Sequence, residues 1–181
     1  VLTLLAVTAG GCDGSIGWPG RRSAGGAGLL DAGSRQEPAL SGNGQWLASV
    51  VERNGRLSLL LQRQPSGQVV PLRQIRGHEP HGSPSLSWNG RYVAALVQQG
   101  NQRLAVIEDR ATSRLHRLPL PGDQPPVKLS LAPDGQRIAL ELLQGGQRRV
   151  QLFDLSGMLE PDRPAGLAVR GGGPSQEATQ P

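Results

Sequence analysis

Three stretches of this chain repeat one another: Leu40-Ser41-Gly42-Asn43-Gly44-Gln45-Trp46-Leu47-Ala48, Leu86-Ser87-Trp88-Asn89-Gly90-Arg91-Tyr92-Val93-Ala94 and Leu131-Ala132-Pro133-Asp134-Gly135-Gln136-Arg137-Ile138-Ala139. Their central glycines stand 46 and then 45 residues apart. A period of that size belongs to arrays in which each repeat is a small unit that buries its faces on its neighbours. Asn43-Gly44, Asn89-Gly90 and Asp134-Gly135 are therefore the expected turn-forming positions. Such dipeptides favour the type I′ hairpin turn, whose two central residues both need positive φ.

Each turn is followed by an apolar run (47–51, 93–97 and 138–143) and then by a second glycine-bearing turn at Asn54-Gly55, Gly100-Asn101 and Gly145-Gly146. Alternating runs come next at 56–59, 103–106 and 149–152. This is the pattern of a strand with one buried face. Short first strands fit before each leading turn, near 38–40, 83–86 and 127–131. Fourth strands fit at 69–72 and 115–118, with 166–169 as a late fourth strand for the third repeat.

Four antiparallel strands in about 45 residues make one blade of a β-propeller. The repeated motif resembles that of the TolB-like propeller family, the periplasmic component of the Tol-Pal envelope system. The resemblance covers residues 38–157. It implies an all-β fold of three four-stranded antiparallel propeller-type blades (38–76, 83–120 and 127–157), a partial propeller with flexible N- and C-terminal tails. Propellers close with roughly four to eight blades, so the reading points to a homodimer completing a six-bladed ring, to a capping partner, or to sheets packed as an open stack. The implied function is a non-catalytic protein-binding or assembly module, with an envelope protein as its partner. Loops at the blade ends, 74–83 and 120–126, are the candidate contacts.

Ahead of the repeats, residues 1–9 carry no charge and lead through Ala9-Gly10-Gly11 to Cys12, the one cysteine of the chain. A run this short suits a signal-peptide core rather than a span of roughly 20 residues. The segment resembles the lipobox of bacterial lipoproteins, which assigns 1–11 to a signal peptide and Cys12 to lipidation; a free thiol is the alternative. The implied location is the bacterial cell envelope, membrane-anchored by lipid and facing the periplasm. Residues 12–37, rich in Gly, Ser and Ala, read as a flexible tether, and 158–181 as a Pro/Gly-rich tail.

The net charge of +5 comes almost wholly from arginine, Lys128 being the single lysine. Aromatic residues make up 3% of the chain, too few for the stacking platform of a single-strand nucleic-acid binder. Nucleic acid is therefore not expected as a partner. A cell-wall glycan or peptidoglycan ligand, the first rival function, would need exposed rings. The candidates are Trp46, Trp88 and Tyr92, and the starts of strands suit core packing.

An enzyme of unrecognised type is the second rival. The chain has no Gly-x-Ser-x-Gly elbow and no phosphate-loop signature, so no catalytic residue is assigned. His78-Glu79-Pro80-His81 offers two metal ligands with nothing to complete a zinc site, so neither metal nor cofactor is expected. Glu108-Asp109 and Glu141, which could serve as an acid/base pair, are expected on outer faces or at strand ends.

Overall fold

The computed structural model describes residues 34–120 and 124–164. The leader, Cys12, Arg21-Arg22 and residues 166–169 lie outside the described residues. Three antiparallel sheets follow one another along the chain. The first holds β1 (Arg35–Leu40), β2 (Trp46–Arg53), β3 (Arg56–Arg63) and β4 (Val69–Val70) in sequence order. The second holds β5 (His81–Leu86), β6 (Tyr92–Gln99), β7 (Gln102–Asp109) and β8 (Arg114–Arg117), also in order. The third holds β9 (Pro126–Leu131), β10 (Arg137–Gln144) and β11 (Gln147–Asp154), and has three strands among the described residues.

The two kinds of turn differ. Arg53 pairs with Arg56 across Asn54-Gly55, and Gln144 with Gln147 across Gly145-Gly146. All four turn residues have positive φ, as a two-residue type I′ turn requires. The leading turns of the repeats depart from that expectation. Only Gly44, Gly90 and Gly135 have positive φ there. Each glycine N–H bonds back three residues, to the carbonyls of Ser41, Ser87 and Ala132. Asn43 and Asp134 serve instead as acceptors, their Oδ1 taking the N–H of Gln45 and Gln136. A short polar side chain that bonds the backbone two residues on replaces the left-handed residue.

Alternation along the second strands builds the core. Val93, Ala95 and Val97 of β6 face the first sheet and join Trp46, Ala48 and Leu61 in one buried cluster. Tyr92, Ala94 and Leu96 face the third sheet and join Leu129, Ile138, Leu140 and Leu142 in another. The middle sheet is thus buried on both faces. On the outward face of the third sheet, Leu143, Val150 and Leu152 are 37%, 75% and 66% exposed.

The folded body is larger than the sequence boundaries suggest. β1 starts at Arg35, inside the stretch expected as tether. Leu155, Leu159 and Asp162 are buried against the second and third sheets, so residues 158–164 belong to the body rather than to a tail.

Candidate functional site

Chain direction places the blade ends. The leading turns and the β3–β4 and β7–β8 turns lie at one end. The two-residue turns after the second strands lie at the other, toward which the chain returns between the first and second sheets through 71–80.

The first end is bonded from sheet to sheet. Asn43 N–H donates to the Trp88 carbonyl, Trp88 N–H to that of Pro133, and Asp162 N–H to that of Asp134. Trp46 lies against Gly90 and Tyr92 against Gly135, where an added Cβ would come within 2.5 and 2.7 Å of the rings. Trp88 covers Gly42 in the same way. The Arg110 guanidinium stacks 3.9 Å from the centre of the Trp46 ring and donates to the Gly90 carbonyl. Asp162, buried, accepts the Ser87 hydroxyl at 2.5 Å and both the N–H and the side-chain amide of Asn89 at 2.8 and 2.9 Å. Of the turn-forming residues marked in the sequence, Asn43 and Asn89 are brought together by a hydrogen bond of 3.3 Å that the Asn43 side-chain amide donates to Asn89 Oδ1.

Glu108 and Asp109 end β7, one of the two placements expected, but they are buried rather than on an outer face. At this first end Asp109 takes a paired contact from Arg91, with bonds of 3.1 and 3.0 Å. Burial pushes its carboxyl up, but the Arg91 guanidinium and the Ala111 N–H outweigh that and hold it below its ordinary value. Arg91 also reaches Glu160.

Glu108, beside Asp109 and so also toward the first end, holds the start of the first connection. Its carboxylate accepts three successive backbone N–H groups, from Arg73, Gln74 and Ile75, at 2.9, 2.9 and 3.0 Å. Backbone donors concentrated on one anion form a strong anchor. Leu72 and Ile75 insert into the core beside it. Farther along, the Leu59 N–H donates to His81 Nδ1 at 2.8 Å, and His81 Nε2 lies 3.1 Å from the Ile75 carbonyl. These partners require the neutral ring with its hydrogen on Nε2. Burial agrees, lowering the His81 pKa against the opposing pull of Glu79.

The candidate contact loop 74–83 is therefore a pinned segment, and its exposed residues include Arg76, Gly77 and Pro80. It walls a groove of about 660 Å³ whose other lining residues include Arg53, Arg56, Leu59 and Val70. Of the second candidate loop, 120–126, residues 121–123 lie outside the described residues.

The anchoring role of Glu108, named from sequence only within a possible acid/base pair, was not readable there. Glu108 sits next to Asp109 in a plain strand ending, and its partners are more than 30 residues away. Among the described residues no three His, Cys, Asp or Glu side chains gather as metal ligands. Trp46 and Tyr92 are buried at the sheet boundaries, so their rings offer no open stacking face.

No protein-family model and no curated protein matches the sequence. Solved structures do. TolB from Acinetobacter baumannii superposes with a TM-score of 0.56 at 18% identity, over 69% of this chain and 31% of that one. A protein named as a TolB from Agrobacterium tumefaciens gives 0.58 at 17% identity, over 68% and 47%. The β-propeller domain of the Trilobed protease from Pyrococcus furiosus gives 0.53 at 12% identity, over 72% and 41%. The chain thus spans about a third to a half of the length of the two TolB structures. At these identities the likeness establishes the fold: the chain is an array of β-propeller blades similar to those of TolB.

Proposed function

We propose that the chain is a non-catalytic protein-binding module of a bacterial cell envelope, held at a membrane by acyl chains on Cys12 and facing the periplasm. One observation carries the reading. The connection 71–80 is pinned to the second blade by Glu108 and His81 while it keeps an exposed, arginine-bearing surface. Rigid presentation of a loop by a scaffold is the usual design of a recognition surface. The polar groups that an enzyme would use are spent on backbone bonds here, Glu108 on three N–H groups and His81 on two backbone partners. The apolar leader ending in Cys12 supports the anchor, since two or more acyl chains give durable attachment.

Photo-crosslinkers placed at Gln74 and Arg76 in the full chain test the reading. Adducts with the same envelope protein from both positions, lost when the crosslinker is moved to Asn101, are the expected result. Identical adducts from all three positions would sink it. Loss of acyl labelling in Cys12→Ser tests the anchor. A second copy of the chain is the proposed cover for the exposed Leu143, Val150 and Leu152. Light scattering at twice the mass of one chain, reverting to the single mass in Val150→Glu, is the expected outcome.

A further inference from the structure

The groove beside the first blade gathers charge that nothing else in the fold uses. Arg53 and Arg56 are direct cross-strand partners flanking the Asn54-Gly55 turn. Their Cβ atoms therefore lie about 5 Å apart, an arrangement in which like charges destabilise a hairpin. Arg76 approaches from the pinned connection and lines the same groove. Among the described residues these three guanidiniums make no ion pair; the pairs present join Arg91 to Asp109 and Glu160, and Arg148 to Glu141. The groove's carboxylate, Glu79, accepts the Ser58 hydroxyl, and its histidine, His81, is held neutral by its two backbone partners.

Arginine suits such a place because its planar fork binds carboxylates through paired hydrogen bonds. Between the guanidiniums the groove is apolar, lined by Leu59, Leu60, Val69, Val70 and Leu72. β4 pairs only with Leu61 and Gln62 of β3; nearer Arg56 no strand among the described residues pairs with that side of β3, and His81 takes the Leu59 N–H there. The volume falls within the range of ordinary ligand pockets.

We infer that this groove binds an extended acidic peptide segment of a partner protein, with its carboxylates on Arg53, Arg56 and Arg76 and the intervening apolar side chains on the leucine and valine floor. The inference rests on the protein-binding reading and supplies the partner's chemistry. A lone inorganic anion would satisfy the arginines and leave the floor uncovered.

The test is fluorescence anisotropy on the full chain with three labelled decapeptides: alternating Glu and Val, alternating Glu and Gly, and alternating Lys and Val. The Glu–Val peptide should bind best, with the Glu–Gly peptide about tenfold weaker and the Lys–Val peptide showing no saturable binding. Arg53→Glu should weaken Glu–Val binding by about tenfold, equivalent to about 1.4 kcal/mol. The same variant should raise the melting temperature, because an opposite-charge pair replaces a like-charge pair across the turn; that rise shows the chain is folded. Arg76→Ala should weaken binding severalfold. Equal binding of the Glu–Val and Lys–Val peptides, or of the two acidic peptides, overturns the proposal, as does an unchanged affinity in Arg53→Glu. Absent peptide binding alongside position-specific crosslinks from Gln74 and Arg76 overturns the groove assignment and leaves the module reading intact. Absent crosslinks do not affect the peptide measurement.

Discussion

The two ends of the blades are built on opposite plans. At the end with the leading turns, aromatic rings lie on glycines of the next repeat, carbonyls accept N–H groups from turn to turn, and Asp162 binds two residues of the second repeat. At the other end Gly55, Gly77, Gly100, Gly145 and Gly146 have nothing within 4 Å of an added Cβ. The connection 71–80, held at its start by Glu108, runs to that end, and arginines line the groove beside it. The difference separates two tasks. One end sets the spacing of the sheets, and the other carries a surface whose charge does not serve stability.

The largest expected effect contrasts two glycines that share a left-handed φ, +68° at Gly90 and +73° at Gly55. Gly90→Ala adds a methyl 2.5 Å from the Trp46 ring, so overpacking adds to backbone strain, for a loss of about 3 kcal/mol. Gly55→Ala carries the strain alone, about 1 kcal/mol. Urea denaturation measures both, and equal losses would break the contrast between the ends.

Between these falls Asp162→Ala. It strips acceptors from the buried Ser87 hydroxyl and from the Asn89 N–H, at about 2 kcal/mol. Its mark should be lost hydrogen-exchange protection in Asn89 and Leu159, with the amides of Gln74 and Ile75 unchanged.

The smallest effect is a pH dependence at the other end. The folded pKa of His81 lies below its ordinary value of 6.5. Below that pH the unfolded chain takes up a proton that the folded chain refuses, so stability is full above about 6.5 and falls as the pH drops toward the folded value. His78 adds to the effect, and Glu79 opposes it. Thermal melts between pH 7.5 and 5 should show the slope, and His81→Gln should flatten it. A slope unchanged in that variant would remove His81 as the cause.

What was legible in the sequence was local. Asn54-Gly55 and Gly145-Gly146 declare their hairpins because two adjacent residues decide the turn, and the register then makes Arg53 face Arg56. The leading turns looked the same on paper, yet all three take a wider form, in which Ser41, Ser87 and Ala132 each donate a backbone N–H to the carbonyl five residues on. Ser41 Oγ accepts the Trp46 N–H, and Ser87 Oγ accepts that of Tyr92, at 3.0 and 2.9 Å. Ala132 has no hydroxyl and its turn takes the same form, so the serines support the wider turn without deciding it. Glu108 and Asp162 left none. Each draws its role from partners 33 to 75 residues away, and a Pro-flanked aspartate after the last strand reads as part of a tail.

The rings on the glycines have a consequence for how such a chain tolerates changes in length. Trp46 must meet Gly90, and Tyr92 must meet Gly135, so each contact depends on the register of the strands between its two residues. One residue inserted in β6 or β7 would turn every following side chain of that strand to the opposite face and misplace the middle sheet against both neighbours. At Gly100-Asn101 or Gly145-Gly146 extra residues would loop outward with both strands still in register, at a cost that grows only slowly with loop length. The chain is thus ruled at one margin and blank at the other, and new sequence has room to enter along the blank one.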